Sequence, residues 1–404
     1  MRGYAIFLFS LTHLPIFVIF QITMKANTFL FPHFVSSAAA FLLAASFPAA
    51  KAELPSSPLG EPYTLSGSET VHGEWGSAYE IVPGGVLNIL GDGATFTVSY
   101  NHNNYSTLSG DGIINIGSDT EAGRMVVTST EPVANDGWVN IVNFGGTINV
   151  GAKGDLSISG DYPSHWGGIF TIGTLNVRGA VSVMSPDSNS SYFCVKNIAL
   201  YAGGSLESAL DIQTSDGGVW DLYTGGLSTG RLRVNGGSFA LNLRAENALS
   251  AARLISFDTG AGTAFRINSY ADNSFDVLEF NAGAALELFM ADGATLTVGD
   301  LTTKNMLSGA AGAKIVFYDY RADAFVLGDS ELWVEDNRLY IPSVDTYVDL
   351  VAYDGEGNLL QGEWIYEWDG QAGRLVLNVP EPAACAAVFG ALALAFAVRR
   401  RAGR

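Results

Sequence analysis

The chain has 404 residues and a formal net charge of −19. Between Glu53 and Asn378 there are 14 basic and 39 acidic residues, which gives this central part a charge of −25. Such a surface repels polyanions, so nucleic acid and anionic lipid are excluded as its main partners. Only 15% of the residues are charged, against about 25% in an average soluble protein, and 47 are glycine. Few charges and many glycines indicate an extracellular β protein with polar, uncharged surfaces.

Residues 1–52 have the features of an export signal. A short basic region begins at Met24-Lys25, an apolar segment follows from Phe34 to Phe47, and the small residues Ala50 and Ala52 come next. Small side chains at these two positions are what a signal peptidase recognises. We therefore expect cleavage after Ala52.

The start of the chain has two interpretations. Leu14 to Ile22 is also apolar, and signal peptides rarely carry two apolar segments. We interpret Met24 as the true start, with Glu53 as the first mature residue. An upstream membrane anchor is the alternative.

Short segments in residues 53–314 begin with glycine and then alternate between apolar and polar residues. They are Gly85–Ile89, Gly93–Val98, Gly146–Val150, Gly154–Ile158, Gly173–Val177, Gly179–Val183, Gly230–Val234, Gly237–Leu241, Gly283–Leu288 and Gly293–Val298. A period of two predicts β-strands with one buried face. Ile148 and Leu296 are therefore expected inside, and Asn149 and Thr297 outside, where substitution should matter little.

The spacing of these segments distinguishes two all-β architectures. Within a pair the apolar centres lie about six to ten residues apart, and pairs recur about every 20 to 35 residues. This spacing suits short strands that turn corners at glycine and stack coil upon coil. We therefore predict a right-handed parallel β-helix, a solenoid, over residues 53–314. A β-sandwich, which also has regular short strands, is the alternative.

Residues 315–378 have a different, aromatic-rich pattern. Their strand-like segments are Ile315–Tyr318, Leu332–Val334, Leu339–Ile341, Tyr347–Val351, Trp364–Tyr366 and Leu375–Leu377. Because the open end of a solenoid exposes a strand edge and apolar core, we interpret this block as a β cap. Hairpin turns are expected at Asp354–Asn358 and Asp369–Gly373. A separate ligand-binding β module is the alternative.

Patterns that carry chemistry are sparse. The HExxH, CxxC, P-loop and Gly-x-Ser-x-Gly motifs are absent, so the sequence assigns no catalytic residue, no metal ligand and no cofactor. Asp272, Asp276 and Glu279, with Arg266 nearby, offer the carboxylates that a polysaccharide hydrolase or lyase needs as acid and base. Nothing in the sequence places them on one face.

Three weaker features remain. The polar, aromatic segment 160–166 has the composition of a sugar-binding loop, although a packed turn is the favoured interpretation. Turns at Asp92 and Asp292 offer oxygen ligands for Ca²⁺, but the nonapeptide repeat of calcium-binding β-rolls is absent. Cys194 lies between apolar residues and is interpreted as a small core residue, not a nucleophile.

The last part of the chain, residues 379–404, has three sections. They are the motif Val379, Pro380, Glu381 and Pro382, the apolar run Ala383 to Val398, and the arginines Arg399, Arg400 and Arg401. The prolines favour extended backbone, so the motif is an accessible peptide substrate. The apolar run, as one transmembrane helix, reaches about 24 Å and spans the membrane if the arginines snorkel. These arginines keep the end of the chain cytoplasmic.

The tail resembles the PEP-CTERM sorting signal of Gram-negative bacteria, in which a Pro-Glu-Pro motif precedes one helix and a basic end. The resemblance implies recognition by a membrane protease of the exosortase type, after signal peptidase has acted at the other end. It also implies a precursor anchored in the inner membrane and then a protein at the cell surface or outside the cell. The coil pattern is similar to autotransporter-passenger and adhesin repeats.

Two functions are compatible with these features. The first is an exported structural or adhesive protein of the cell surface or extracellular matrix, with extracellular polysaccharide as a candidate partner. The second is a polysaccharide-active β-helix enzyme, a lyase or a glycoside hydrolase. No nucleic-acid partner is expected in either.

Overall fold

The computed structural model contains two compact units, Met1–Pro48 and Ala49–Arg404. It describes residues 3–11, 14–22, 53–73, 79–100, 107–129, 139–159, 168–184, 192–214, 216–234, 236–249, 251–257, 262–280, 283–303 and 312–379. In the first unit, strands β1 (Gly3–Leu11) and β2 (Leu14–Ile22) form one antiparallel hairpin. The predicted signal segment from Phe34 to Phe47 lies outside the described residues.

The second unit is built of β-strands. Their bounds are β3 Pro62–Leu65, β4 Ser68–Gly73, β5 Tyr79–Ile81, β6 Val86–Ile89, β7 Thr95–Tyr100, β8 Leu108–Gly110, β9 Ile113–Ile116, β10 Gly123–Ser129, β11 Val139–Val150, β12 Gly154–Ser159, β13 Gly168–Val177, β14 Ala180–Met184, β15 Tyr192–Leu200, β16 Ser205–Ser208, β17 Asp211–Thr214, β18 Gly218–Leu222, β19 Leu227–Val234, β20 Phe239–Leu243, β21 Ala251–Phe257, β22 Ala264–Ser269, β23 Asn273–Phe280, β24 Ala285–Met290, β25 Leu296–Thr303, β26 Lys314–Tyr318, β27 Phe325–Leu327, β28 Trp333–Glu335, β29 Arg338–Ile341, β30 Thr346–Ala352, β31 Glu363–Trp368 and β32 Gly373–Asn378. A 3₁₀ turn at Pro342–Val344 separates β29 from β30. No α-helix occurs among the described residues, which confirms the all-β prediction.

The strands from β3 to β27, together with β30, pair in three parallel ladders within one open sheet. The first ladder joins β3, β6, β9, β11, β13, β15, β18, β20, β22, β24, β26 and β30. The second runs through β4, β7, β10, β12, β14, β16, β19 and β21, and then through β23, β25 and β27. The third joins β5, β8, β11, β13, β15, β17, β19, β21, β23 and β25.

The chain visits the three ladders in a fixed order and then begins again. Thus β3, β4 and β5 lie directly before β6, β7 and β8, and each strand of the first set pairs with its counterpart in the second. Partners on the first ladder are 21 to 35 residues apart, close to the repeat predicted from the sequence. This connectivity is consistent with a β-solenoid. A β-sandwich is built of antiparallel sheets, so the parallel ladders disagree with that alternative.

Apolar residues from successive coils stack in register to form the core. One column on the first ladder consists of Leu87, Ile114, Ile148, Leu175, Ile198, Trp220, Leu241, Ile267, Leu288 and Phe317. Every member is at most 2% exposed. The indole nitrogen of Trp220 donates to the carbonyl oxygen of Val195 at 3.2 Å, so the largest side chain of this column is also satisfied as a donor. The inward positions expected from the alternation, Ile148 and Leu296 among them, are confirmed.

Glycines form a second kind of column at the corner that precedes the first ladder. Gly85, Gly112, Gly146 and Gly173 lie at this corner in successive coils. A Cβ on Gly146 would lie 2.1 Å from the carbonyl oxygen of Gly112, and one on Gly173 would lie 1.9 Å from that of Gly145. Only glycine permits the backbones to approach so closely. At this corner, the glycine before each repeated segment is therefore a consequence of close backbone approach.

Antiparallel pairing begins beyond β27. Strands β28, β29 and β30 form an antiparallel sheet, while β32 pairs with both β31 and β27. The turn between β28 and β29 has Asp336 and Asn337 in the left-handed region, with φ of 51° and 59°, as a two-residue hairpin of type I′ requires. Both predicted turns are present, since Tyr353 bridges Leu359 and Trp368 pairs with Gly373. Parallel pairing in the first ladder continues through β26 to β30, so it extends past residue 315.

The two faces of β25 generate a stability prediction. Leu296 is fully buried, whereas its neighbour Thr297 is half-buried on the outer face. Leu296→Ala should lower the free energy of unfolding by about 2–5 kcal/mol through lost packing and a residual cavity. The control Thr297→Ala should change it by about 0.5 kcal/mol or less. Denaturant titration measures both, and equal losses would show that the assigned faces of β25 are wrong.

Candidate functional site

The terminal signals lie almost entirely outside the described residues. This applies to Ala50, Ala52, Pro380, Glu381, Pro382, Arg399, Arg400 and Arg401, and to the predicted tail helix. Val379 is described: it follows β32, is 44% exposed, and its backbone nitrogen donates to the carbonyl oxygen of Leu377 at 3.1 Å. In the part of the chain that the structure describes, no helix is long and apolar enough to span a membrane.

The outer face of the first ladder carries a row of asparagines, here called the asparagine row: Asn88, Asn115, Asn149 and Asn176. The amides of Asn115, Asn149 and Asn176 each donate to the amide oxygen of the previous asparagine, at 2.8 Å in all three links. Stacked identical amides satisfy one another because each has both a donor and an acceptor. The row therefore fastens four coils together on their outer face.

Further along the first ladder, Asp221, Asn242 and Asn268 form a similar hydrogen-bonded group. Asn268 donates to the amide oxygen of Asn242 at 2.7 Å, and Asn242 donates to the Asp221 carboxylate at 3.0 Å. Arg244 also donates to this carboxylate, at 2.9 Å, and so compensates its charge. The outer face is thus a hydrogen-bonded network of side chains that mostly carry no net charge.

A second row lies beside the first, where each strand of the first ladder ends. This arginine–tyrosine row consists of Arg178, Tyr201, Tyr223, Arg244 and Tyr270, one from each of five successive coils. The rings of Tyr201 and Tyr223 are nearly parallel, 6° apart with centroids separated by 5.4 Å. The Arg178 guanidinium lies 4.9 Å from the Tyr201 ring centroid. The Arg244 guanidinium lies 5.5 Å from the Tyr223 centroid and 4.6 Å from the Tyr270 centroid.

Stacking in the arginine–tyrosine row determines which parts of the tyrosine rings remain available to solvent. Each ring of Tyr201 and Tyr223 is covered by a neighbour from the coil before and the coil after, so its faces are used within the protein. Such cation–π contacts contribute about 0.5–1 kcal/mol each at exposed sites. The row stabilises the corner and presents ring edges and hydroxyls to solvent.

A different aromatic group, here called the cap aromatic surface, lies on the sheet formed by β28, β29 and β30. Trp333 is opposite Tyr340, which is in turn opposite Tyr347, so the three rings lie side by side on one face. Their centroids are 4.1 Å apart for the first pair and 4.7 Å for the second. Trp333 is 45% exposed. The sequence indicated these strands but not that their aromatic residues share a face, which depends on register.

Three of the four residues proposed from the sequence as an acid–base site, Arg266, Glu279 and Asp272, have other partners in the structure. Arg266 forms its ion pair with Glu287 in the next coil, its Nε donating at 2.8 Å. Glu279 lies 3.5 Å from Arg231 instead. Asp272 accepts from the backbone nitrogen of Thr295 at 2.8 Å, and this contact fixes a turn.

The weaker candidates from the sequence have the following positions in the structure. Segment 160–166 lies outside the described residues, and Asp92 and Asp292 are exposed in their turns. The described ranges contain no group of three or more His, Cys, Asp or Glu side chains arranged to hold a metal ion. Phe193 and Val195 are buried, so the alternation along β15 places Cys194 on the outer side, where it is half-buried; this corrects its assignment to the core. Desolvation raises the pKa of its thiol to about 11, so it stays protonated at neutral pH.

Asp300, a carboxylate outside the sequence candidates, has a raised pKa. Burial, and then the neighbouring Asp329 carboxylate, raise the pKa of Asp300 in β25. A raised pKa in an acid is a property that general acids also have, although structural carboxylates share it. Asp300 is therefore the residue that an enzymatic interpretation would use first.

Comparisons with protein families, with characterised proteins and with solved structures found no match to this chain. Functional inference therefore depends on the side-chain rows and surfaces described above.

The asparagine row corrects the expectation that Asn149 matters little. Asn149 faces outward but donates to Asn115 and accepts from Asn176, so Asn149→Ala breaks two hydrogen bonds, one at the Asn115 amide oxygen and one at the Asn176 amide nitrogen. We expect a loss of about 1–3 kcal/mol in the free energy of unfolding. Ser157→Ala, at a half-buried outward position of β12, is the control and should change it by about 0.5 kcal/mol or less. Chemical denaturation compares the two, and a neutral Asn149→Ala would show that the row does not stabilise the stack.

Proposed function

We propose that this chain is an exported structural or adhesive protein of the cell surface or extracellular matrix. The observation that carries the proposal is the long series of in-register coils, whose outer positions form continuous rows. Adjacent strands lie about 4.7–4.9 Å apart, so the asparagine row repeats one chemical group at a fixed short interval. A repeating surface of this kind suits contact with extended polymers or packing in a matrix.

We also infer that the coils form a right-handed β-helix. Parallel strands joined through a crossover are right-handed in nearly all known cases, because strand twist favours that hand. The antiparallel strands β28 to β32 then close the last coil as a cap, in agreement with the pairing of β32 on β27. A cap protects an edge that would otherwise invite pairing with another chain.

Delivery to the surface is the part of the proposal that depends on the sequence alone. An amino-terminal signal cleaved after Ala52 and a carboxy-terminal sorting signal at Val379 to Pro382 would bring the body from Glu53 to Asn378 across the inner membrane. Val379, the first residue of the motif, is exposed immediately after β32, and this exposure supports protease access at the end of the body.

The sorting signal is tested at its acidic residue. Glu381→Ala keeps the apolar run and the arginines, so membrane insertion should be unchanged while recognition of the motif is lost. We expect the variant to accumulate as an uncleaved, membrane-retained precursor. Immunoblots of membrane, surface and medium fractions measure this, with Gln371→Ala in an exposed turn as the matched control. Identical mobility and fractionation of Glu381→Ala and wild type would remove the exosortase interpretation.

A polysaccharide-active enzyme is the second candidate, and the perturbed Asp300 carboxylate is the observation that favours it. Incubation of the purified protein with a polysaccharide panel distinguishes the two functions. Repeatable release of reducing or unsaturated ends, abolished by Asp300→Asn, would overturn the structural proposal in favour of the enzyme.

A further inference from the structure

We propose that the cap aromatic surface, Trp333, Tyr340 and Tyr347, is a binding platform for a neutral polysaccharide. The inference rests on the extracellular role proposed above, since it names the polymer that such a protein would contact. Four observations carry it: the two-faced sheet, the open ring of Trp333, the acceptor-rich rim and the charge of the surroundings.

The sheet formed by β28, β29 and β30 has one buried and one exposed face. On the buried face, Val334 is opposite Leu339, which is opposite Val348, and the last two are fully buried. On the other face the corresponding row is entirely aromatic. Because the core side of the sheet is already satisfied by aliphatic residues, packing within the protein does not require three aromatic residues on the outer side.

The β28–β29 turn and two side-chain hydrogen bonds fix the three rings in place without a ligand. Asp336 and Asn337 form the two-residue turn that fixes the register of Trp333 opposite Tyr340. The Tyr340 hydroxyl donates to Asp345, and the Tyr347 hydroxyl donates to Glu335. Side chains held in this way lose little conformational freedom on binding, which favours recognition by a small surface.

One end of the aromatic stack is open. The Arg338 guanidinium covers the Tyr347 ring at 4.7 Å from its centroid, whereas Trp333 lies on the terminal strand and is 45% exposed. This differs from the arginine–tyrosine row, where the faces of Tyr223 are occupied by Tyr201 and Arg244. An available indole face can stack on the C–H face of a sugar ring, which a tyrosine stacked on both sides cannot do.

The polar groups around the rings match hydroxyl donors. Glu335 and Asp345 accept from the tyrosines and retain further acceptor positions, and Asp349 is exposed on the same face as the rings. Carboxylate acceptors around an apolar ring complement a sugar, which has an apolar face and a rim of O–H donors. The geometry therefore fits a glycan better than a purely apolar ligand.

The charge and the small area of the cap aromatic surface disfavour other kinds of ligand. Four exposed carboxylates, Glu335, Asp336, Asp345 and Asp349, outnumber the exposed cations Arg338 and Lys314 on and beside this face. Such a surface disfavours nucleic acid, anionic lipid and acidic polysaccharides. A stable protein partner would need about 800 Å² on each side, much more than three side chains on short strands provide.

Binding is tested on the full-length chain, purified in a detergent without a sugar headgroup. The probes are the neutral hexasaccharides of cellulose, xylan, chitin and starch, with polygalacturonate as the acidic comparison. We expect at least one neutral probe to bind the wild type and to change its tryptophan fluorescence, and polygalacturonate to bind at least tenfold more weakly. Trp333→Ala should weaken binding of the neutral probe at least tenfold in calorimetry, whereas Trp333→Phe should retain most of it.

The matched control is Tyr223→Ala, which removes an aromatic residue of comparable exposure whose ring faces are already covered. It should bind the neutral probe as the wild type does. Thermal unfolding of each variant shows whether it is folded, and the fluorescence change of the wild type does not depend on any variant.

Several results would overturn the inference. They are the absence of binding to every neutral probe, a preference for polygalacturonate, an equal loss in Tyr223→Ala and Trp333→Ala, and self-association or binding to anionic vesicles that Trp333→Ala abolishes. Failure of the proposed function is separate, because it would be seen as retention of the wild-type chain inside the cell even if the purified protein binds glycan.

Discussion

In-register parallel pairing of the backbone is the constraint on which the rest of this structure depends. When each strand pairs with the same strand of the next coil, every residue has a counterpart one strand spacing away along the stack. A side chain must therefore be compatible with its counterpart in the preceding and the following coil. The glycine column at Gly85, Gly112, Gly146 and Gly173, and the apolar column that contains Trp220, are both consequences of this requirement.

The same constraint explains which polar residues occur on the outer face. Asparagine stacks on asparagine because its amide both donates and accepts, as Asn115 and Asn149 do. Arginine stacks on tyrosine because a cation and a ring face attract each other. Carboxylates do not tolerate stacking, and Asp221 is placed between Ala199 and Asn242. Burial is the main cause of the raised pKa of Asp300, and repulsion from the Asp329 carboxylate raises it further. A chain with few charged residues is well suited to such stacking.

Much of the fold could be predicted from local sequence patterns, whereas the features that were missed depend on the pairing register of the strands. Strands of the first and second ladders begin at corner glycines and alternate clearly, so segments such as Gly154–Ile158 were identified. The third ladder has no such marker, and its strand at Tyr192–Val195 went unnoticed although it is apolar. The partners of Asn149 and of Trp333 lie in other coils or strands, at distances along the chain that vary from coil to coil. No periodicity in the sequence specifies those partners, and for this reason the asparagine row and the cap aromatic surface were found only in the structure.

A comparison of two glycine substitutions tests the stacking of coils most directly. In Gly173→Ala the added Cβ would lie 1.9 Å from the carbonyl oxygen of Gly145, whereas in Gly230→Ala it meets no atom within 4 Å. If the coils stack in the register described, Gly173→Ala should lower the free energy of unfolding by about 3 kcal/mol or more, because backbone must move apart. Gly230→Ala should change it by about 0.5 kcal/mol or less. Denaturant titration of both variants decides the matter, and a Gly173→Ala protein as stable as the wild type would contradict the in-register coil stack.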